Sequence, residues 1–291
     1  MKRNKRKKTK LEVNTHLGNL MFMLPTIILF TAVVIIPFVQ GIPYSFTNWG
    51  HVVSSKRDFI GWANYKYLLT NRRYLEALLR TFKYTVLYTA SSTLAGLGLA
   101  LLVRKTTLFN SICRTIYFLP FTTAVTAGAM VWRYVYIDVF TKLTGLVSPL
   151  GISSQLMYGL VIIGAWRDMG YTMLIFIAGL QGISQDYIDA SLVDGCTPWK
   201  RFIHIILPSI VPAFTTNITL LMAWGMRSFE MQMVLAHNQE EGQYAAVYVY
   251  DMIFSKGKAG MGQAAAVILT VILIFLTQII TKVLRSKEVE A

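Results

Sequence analysis

The chain has 291 residues, of which 54% are apolar and only 14% carry a charge, and its formal net charge is +14. So few charges exclude a soluble globular protein and indicate a protein embedded in a membrane. The excess of positive charge fits contact with a lipid bilayer that contains anionic lipid, so we expect no nucleic-acid partner.

Six apolar segments are long enough to cross a bilayer, which takes about 20 residues at a rise of 1.5 Å each. Five of them contain no Asp, Glu, Lys or Arg, and the fourth is interrupted by Arg167 and Asp168. The sequence therefore predicts an all-α, polytopic membrane protein with six transmembrane helices. The segments are Leu20–Tyr44, Tyr84–Val103, Thr115–Trp132, Leu156–Leu180, Ile205–Met226 and Met261–Thr281.

Residues 1–19 form a basic tail, with seven Lys or Arg among the first ten residues. Such clusters stay on the cytoplasmic side of a membrane, so six spans place both termini in the cytoplasm. The first apolar segment is too long for the h-region of a signal peptide, which favours an uncleaved anchor. We predict one membrane domain over residues 20–284 and a short cytoplasmic tail over residues 285–291.

The first external loop, residues 45–83, is longer than a simple turn. Its second half places Leu68, Leu75, Leu79 and Phe82 near helical spacing. This pattern predicts a helix that lies in the membrane interface.

The last external loop, residues 230–260, is polar and contains glycine, and its pattern fits either an extended or a helical segment. The two cysteines, Cys113 and Cys196, both fall on the predicted cytoplasmic side, where a disulfide is not expected. The four histidines are scattered along the chain, so we expect no metal and no cofactor.

A polar loop over residues 181–206 separates the fourth and fifth spans and has its own capping signals. Ser184 can cap a helix, and Asp186 lies in the first turn, where the helix dipole favours negative charge. Gly195 can end that helix in the left-handed conformation.

A second helix is predicted to begin directly after this bend. Thr197 and Pro198 form an N-cap and first-turn pair that opens a helix through about Ile206, and Pro208 and Pro212 then disfavour unbroken helix. Two short helices joined by a sharp bend suit either a contact with a soluble partner or an ordinary connector that folds back on its own bundle.

The sequence of this loop resembles a known motif. Residues 189–196 read DASLVDGC, and Leu207-Pro208 and Pro212 follow. This is similar to the EAA motif of binding-protein-dependent ABC importer permeases, in the branch that serves maltose and multiple-sugar systems. The Asp, Ser and Cys at the first, third and last positions stand where the motif has Glu, Ala and Ala, and they are conservative in size or charge.

Other fragments resemble the same family in the same order along the chain. They are FTNW at 46–49, FIGWANY at 59–65, YFLP at 117–120 with Trp132, LQGIS at 180–184 and MGQAAA at 261–266.

The resemblance implies a type I ABC importer permease fold in the inner membrane of a bacterium. It implies a second homologous permease subunit, two ATP-binding cassette subunits and an extracytoplasmic solute-binding protein that delivers a sugar, here taken as an oligosaccharide. We expect no enzymatic activity in this chain, because it has no G-x-x-x-x-G-K-[ST] phosphate loop.

In that family the loop couples the permease to the ATPase, which closes and moves a rigid helix pair. The residues that we expect to form this coupling surface are Asp186, Asp189, Ala190, Asp194, Gly195, Trp199 and Phe202.

Ionisable side chains inside a span are costly and should face protein or a watery cavity. Arg167 and Asp168 are adjacent on one helix and so are not expected to pair directly. Aromatic and polar residues nearby suggest a substrate path, while the alternative is that they join helices or form an interfacial aromatic belt. The candidate path residues are Trp166, Arg167, Asp168, Tyr171, Trp224, Gly225, Arg227 and Ser228.

Three other functions remain open from the residues. The chain could be a permease for glycerol phosphate or another polar solute. A secondary transporter or channel would usually carry more intramembrane acids, and a membrane enzyme would need a cluster of catalytic or metal-binding groups.

Overall fold

The computed structural model describes residues 21–53 and 57–286. The predicted basic tail at 1–19, Leu20, and residues 287–291 of the C-terminal tail lie outside the described residues. Within the described ranges the chain is helical, with one isolated antiparallel bridge between Thr47 and Phe59.

The helices are numbered in chain order, and some contain a π-helical turn. They are α1 (Met21–Tyr44), α2 (Ala63–Thr70), α3 (Arg72–Val103), α4 (Leu108–Thr122), α5 (Val125–Thr144), α6 (Ser153–Gln181), α7 (Gln185–Val193), α8 (Pro198–Ser209), α9 (Val211–Met226), α10 (Glu230–Ala236), α11 (Ala245–Ser255) and α12 (Ala259–Arg285).

Four of these helices, α1, α3, α6 and α12, are long and apolar enough to cross a membrane on their own. The pairs α4–α5 and α8–α9 also qualify if each bent pair is one span, which gives up to six spans. The bend is 99° in the first pair and 62° in the second. All six predicted spans therefore coincide with apolar helices, and two of the six fall on bent pairs.

The third predicted span, Thr115–Trp132, is not one continuous helix. The chain turns at Thr123 and Ala124, where the backbone becomes extended. Thr123 donates its hydroxyl hydrogen to the carbonyl oxygen of Pro120 at 2.7 Å, and Thr122 does the same to Leu119 at 2.8 Å. These local bonds satisfy two of the carbonyls that the end of α4 would otherwise leave open.

The fifth span breaks between its two prolines, as the sequence predicts, but the first piece is longer than expected. Helix α8 continues through Ser209, beyond Ile206, and the bend falls at Ile210. Pro212 then lies in the first turn of α9, where its missing N–H leaves no intrahelical bond unmade.

The predicted interfacial helix is wrong in its extent. Asn71 ends α2 with an extended backbone, and its side chain accepts a hydrogen bond from the Tyr74 amide at 3.1 Å, which caps α3. Leu75, Leu79 and Phe82 therefore belong to the outer end of a 32-residue span, and only Leu68 lies in the short helix α2.

The last external loop is helical, which resolves the alternative left open by its sequence. Helices α10 and α11 occupy it, and Tyr244 and Tyr248 are buried against the bundle. The amides of Ala259 and Gly260 donate to the carbonyls of Gly50 and Trp49 at 2.9 and 2.8 Å, which joins this loop to the first external loop.

The bundle centres on α3 and α6, with α9 packed against both. Small residues allow the close approach. A Cβ atom at Gly96 would lie 3.0 Å from the Met173 backbone nitrogen, and one at Gly225 would lie 2.9 Å from the Thr85 side chain. Such contacts are typical of helix pairs that associate in lipid.

Candidate functional site

A polar cavity of about 560 Å³ lies among α3, the α4–α5 bend, α6, α9 and the start of α10. Six of the eight predicted path residues line it: Arg167, Asp168, Trp224, Gly225, Arg227 and Ser228. The sequence did not identify the remaining lining residues, which are Tyr84, Tyr88, Phe121, Val125, Gly164, Glu230 and Met231.

Arg167 and Asp168 pair directly, which contradicts the sequence-based expectation. The Arg167 guanidinium donates to Oδ1 of Asp168 at 2.7 Å. The two Cβ atoms diverge around the helix, but the long arginine side chain bends back to reach the shorter carboxylate. The pair neutralises two charges inside a span, where an unpaired charge is costly.

The second oxygen of Asp168 is also occupied. The Tyr88 hydroxyl donates to Oδ2 at 2.5 Å, and Asp168 is only 3% exposed. Tyr88 in turn stacks on Tyr84 with ring centroids 5.6 Å apart and planes 2° from parallel. Helix α3 thus holds the acidic side chain of α6 in place.

An aromatic cluster forms the opposite side of the cavity. Phe121 lies at the end of α4, and its ring is 5.8 Å from Trp224 and 4.7 Å from Tyr171. The Arg167 guanidinium lies over the same ring, 5.3 Å from its centroid. Tyr171 itself does not line the cavity, and its ring packs against both Phe121 and Trp224.

Trp166 also lies outside the cavity. Its ring meets Trp132 of α5 edge-on, with centroids 5.5 Å apart. It joins two spans, which is the structural role that the sequence analysis kept as the alternative for this group.

The charges that line the cavity sum to zero, with Arg167 and Arg227 set against Asp168 and Glu230. Aromatic faces and hydrogen-bonding groups line the same space, and Ser228 donates to Gln232 at 2.8 Å at its edge. A cavity of this kind suits a polar solute without net charge that offers both hydroxyl groups and an apolar face.

The loop at residues 181–206 folds as its capping signals predict. The Ser184 hydroxyl accepts from the Asp186 amide at 3.3 Å, and the Thr197 hydroxyl accepts from the Lys200 amide at 3.4 Å. Gly195 has a φ of +67°, so the left-handed bend between α7 and α8 is confirmed. Its amide donates to the carbonyl of Leu192 at 3.1 Å.

The residues expected to contact an ATPase lie mostly on the surface of this loop. Asp186, Asp189, Ala190, Asp194, Gly195 and Trp199 are exposed, and Phe202 is half-buried and stacked on Trp199 with centroids 6.0 Å apart.

Large apolar side chains are exposed beside these acidic residues. Val193 is 88% exposed, Trp199 69% and Tyr187 62%. Among the described residues, Asp189 makes no ion pair and accepts only from the amide of Gln185, at 2.9 Å. Carboxylates beside exposed apolar side chains are typical of a surface that meets another protein.

Residues 92–288 match the family described as "Binding-protein-dependent transport system inner membrane component". The chain belongs to this family. The family expected from the loop motif is thereby confirmed, and the permease is a multi-pass protein of the inner membrane.

Similar proteins cover nearly the whole permease. It is 30% identical over 278 residues to the probable starch degradation products transport system permease protein AmyD of Thermoanaerobacterium thermosulfurigenes, covering 93% of this chain and 94% of that protein. It is 26% identical to the arabinooligosaccharides transport system permease protein AraP of Bacillus subtilis, covering 90% of this chain and 87% of that protein.

The fold is shared with a solved bacterial ABC transporter involved in the import of the acidic polysaccharide alginate. The TM-score is 0.80 at 18% identity, and the match covers 94% of this chain and 97% of that one. The predicted all-α, type I importer permease fold is confirmed.

Proposed function

We propose that this permease forms part of the translocation path of an ATP-driven importer for neutral oligosaccharides. The observation that carries the proposal is the cavity, which combines the aromatic faces of Phe121 and Trp224 with polar groups whose charges cancel. A sugar presents an apolar ring face, which can pack on the aromatic rings, and a rim of hydroxyl groups, which can bond to the polar groups.

The charges of the cavity favour a neutral solute over glycerol phosphate. A phosphate binds where cations are in excess, whereas this cavity holds as many carboxylates as cations: Asp168 pairs with Arg167 at 2.7 Å, and Glu230 offsets the charge of Arg227 in the sum. The names of AmyD and AraP, which concern starch degradation products and arabinooligosaccharides, support a sugar. A glycerol-3-phosphate permease, UgpA of Pectobacterium atrosepticum, is 26% identical and represents the second candidate.

The coupling proposal concerns residues 181–206. Closure of two ATP-binding cassette subunits would move α7 and α8 as one body, with Asp189 facing a basic residue of the ATPase and the exposed rings beside it forming the apolar contact. The charge and exposure of this loop support such a partner.

The complete importer in this proposal has a second homologous permease subunit and an extracytoplasmic solute-binding protein. One related alginate transporter was solved in complex with a pentasaccharide-bound periplasmic protein, which supports the latter partner. The basic tail would keep both termini in the cytoplasm.

The test is uptake by the complete importer in proteoliposomes that contain ATP. Labelled malto- and arabino-oligosaccharides are compared with glycerol 3-phosphate, each delivered by the cognate binding protein. We expect ATP-dependent uptake of a neutral oligosaccharide, and at least a tenfold loss in Phe121→Ala. Phe109→Ala is the matched control, because Phe109 lies on the same helix but is 73% exposed and outside the cavity. Transport of glycerol 3-phosphate alone would refute the proposal.

A further inference from the structure

A second cavity, of about 540 Å³, lies where the membrane helices end above the loop at residues 181–206. Three cationic side chains line it: Arg104 and Lys105 directly after α3, and Arg201 on α8. No carboxylate lines it, and none of the three forms an ion pair within residues 21–53 and 57–286. The cavity is therefore strongly electropositive and lacks a counterion from the described part of this chain.

The backbone beneath two of these cations is held in place. Arg114 donates to the carbonyl oxygens of Val103 at 2.7 Å and Arg104 at 3.0 Å, and Asn110 donates to that of Lys105 at 2.9 Å. These bonds satisfy carbonyls that the end of α3 would otherwise leave open. The side chains of Arg104 and Lys105 thus project from a fixed segment and are not needed for capping.

Aliphatic residues at the ends of the spans form part of the remaining wall, together with Gln181, Gln185 and apolar residues of the loop. Leu101 lies in the last turn of α3, Leu180 in the last turn of α6, and Ile206 near the start of the fifth span. The cavity consequently combines cations that directly follow a span with aliphatic side chains from the last turns of the spans. A free phosphate would use the cations only, whereas a phospholipid uses both.

We propose that this cavity binds one anionic phospholipid. Its phosphate lies among Arg104, Lys105 and Arg201, and one acyl chain lies along Leu101 and Ile206. Ile188 of α7 lines the same space, so the lipid fills the gap between the spans and the first loop helix. The lipid site itself needs only the membrane fold and does not rest on the coupling role proposed for the loop.

The test is lipid binding to the complete, delipidated importer, measured by native mass spectrometry during titration with phosphatidylglycerol or phosphatidylcholine. We expect one phosphatidylglycerol to bind at least tenfold more tightly than phosphatidylcholine. Removal of one cation should weaken binding about fivefold, the equivalent of about 1 kcal/mol, and R104Q/K105Q/R201Q should weaken it on the order of 100-fold. The control is K282Q/R285Q, which removes two cations at the end of α12, outside this cavity.

Three results would overturn the proposal. The first is equal binding of the two lipids, and the second is unchanged phosphatidylglycerol binding by the triple variant. The third is full displacement of phosphatidylglycerol by millimolar inorganic phosphate, which would make the cavity a simple anion site. If the second result is accompanied by loss of ATPase subunits from the triple variant, the cations belong to a protein contact. None of these measurements depends on which solute is transported.

Discussion

A substitution at Gly195 tests the loop at residues 181–206 through its backbone conformation alone, because an added Cβ atom would clash with nothing. Its φ is +67°, and a Cβ atom built there would meet nothing within 4 Å. Any effect of Gly195→Ala therefore comes from the left-handed conformation, which costs an L residue roughly 1–2 kcal/mol. That energy lowers the ratio of the native bend to other conformations of the loop by a factor of about 5–30.

Gly195→Pro should act more strongly than the alanine variant. Proline fixes φ near −65° and removes the amide that donates to Leu192 at 3.1 Å, so the bend between α7 and α8 cannot form as it stands. We expect normal membrane insertion, because the change lies outside the spans. We also expect at least a tenfold fall in solute taken up per ATP hydrolysed.

Gly145, which directly follows α5 on the predicted external side, supplies a matched control. It has a φ of +70° and also has open space around its Cβ position, so Gly145→Ala carries the same backbone strain. The assay measures ATP hydrolysis and uptake in the same proteoliposomes, with the thermal midpoint of the complex as a check on folding. Wild-type coupling in Gly195→Pro, or equal loss in both alanine variants, would refute the reasoning.

Three further predictions concern charge and packing. Asp168→Asn leaves Arg167 without its counter-charge in a span, so it should destabilise the complex by about 3 kcal/mol in a denaturation assay. Adding Arg167→Gln should restore stability. Equal stability of the single and double variants would contradict the ion pair. Gly96→Ala should destabilise the permease by about 1–3 kcal/mol, because the added Cβ atom would clash with α6. Gly98→Ala, where the Cβ atom has open space, should leave the stability unchanged or raise it by up to about 1 kcal/mol. Similar shifts in the two melting curves would argue against this packing. Asp189→Lys should reduce co-purification of the ATPase at least fivefold while the permease remains folded, and an undiminished yield would remove Asp189 from the interface.

The local structure of the loop at residues 181–206 was predictable because its signals act over three or four residues. Ser184 and Thr197 cap helices with their own hydroxyls, and Gly195 adopts the left-handed bend, so no distant contact decides the outcome.

The break in the third span was not predictable in the same way. Thr122 and Thr123 are acceptable in an apolar helix, and only the extended backbone at Thr123 and Ala124 shows that the helix ends there. The direct pairing of Arg167 with Asp168 was also missed, because helix geometry fixes Cβ directions but not the reach of a long side chain.

Two tyrosines of the cavity left a signal that the sequence analysis did not use. Tyr84 and Tyr88 are four residues apart in a stretch rich in Thr, Ser, Gly and Ala, which places both rings on one face of α3. Phe121 carried no such signal, because its position depends on the bend that follows it.

That bend gives the cavity a property that a straight span would not have. Phe121 lies two residues before the turn at Thr123, whereas Trp224, whose ring it faces, belongs to a different span. Because the chain turns after α4, this helix can move relative to α9 without carrying α5 along, and such a movement would separate the two rings and widen the cavity beside them. One movement of the helix would then both bind and release a solute, and a tightly bound solute would need no separate step for its release.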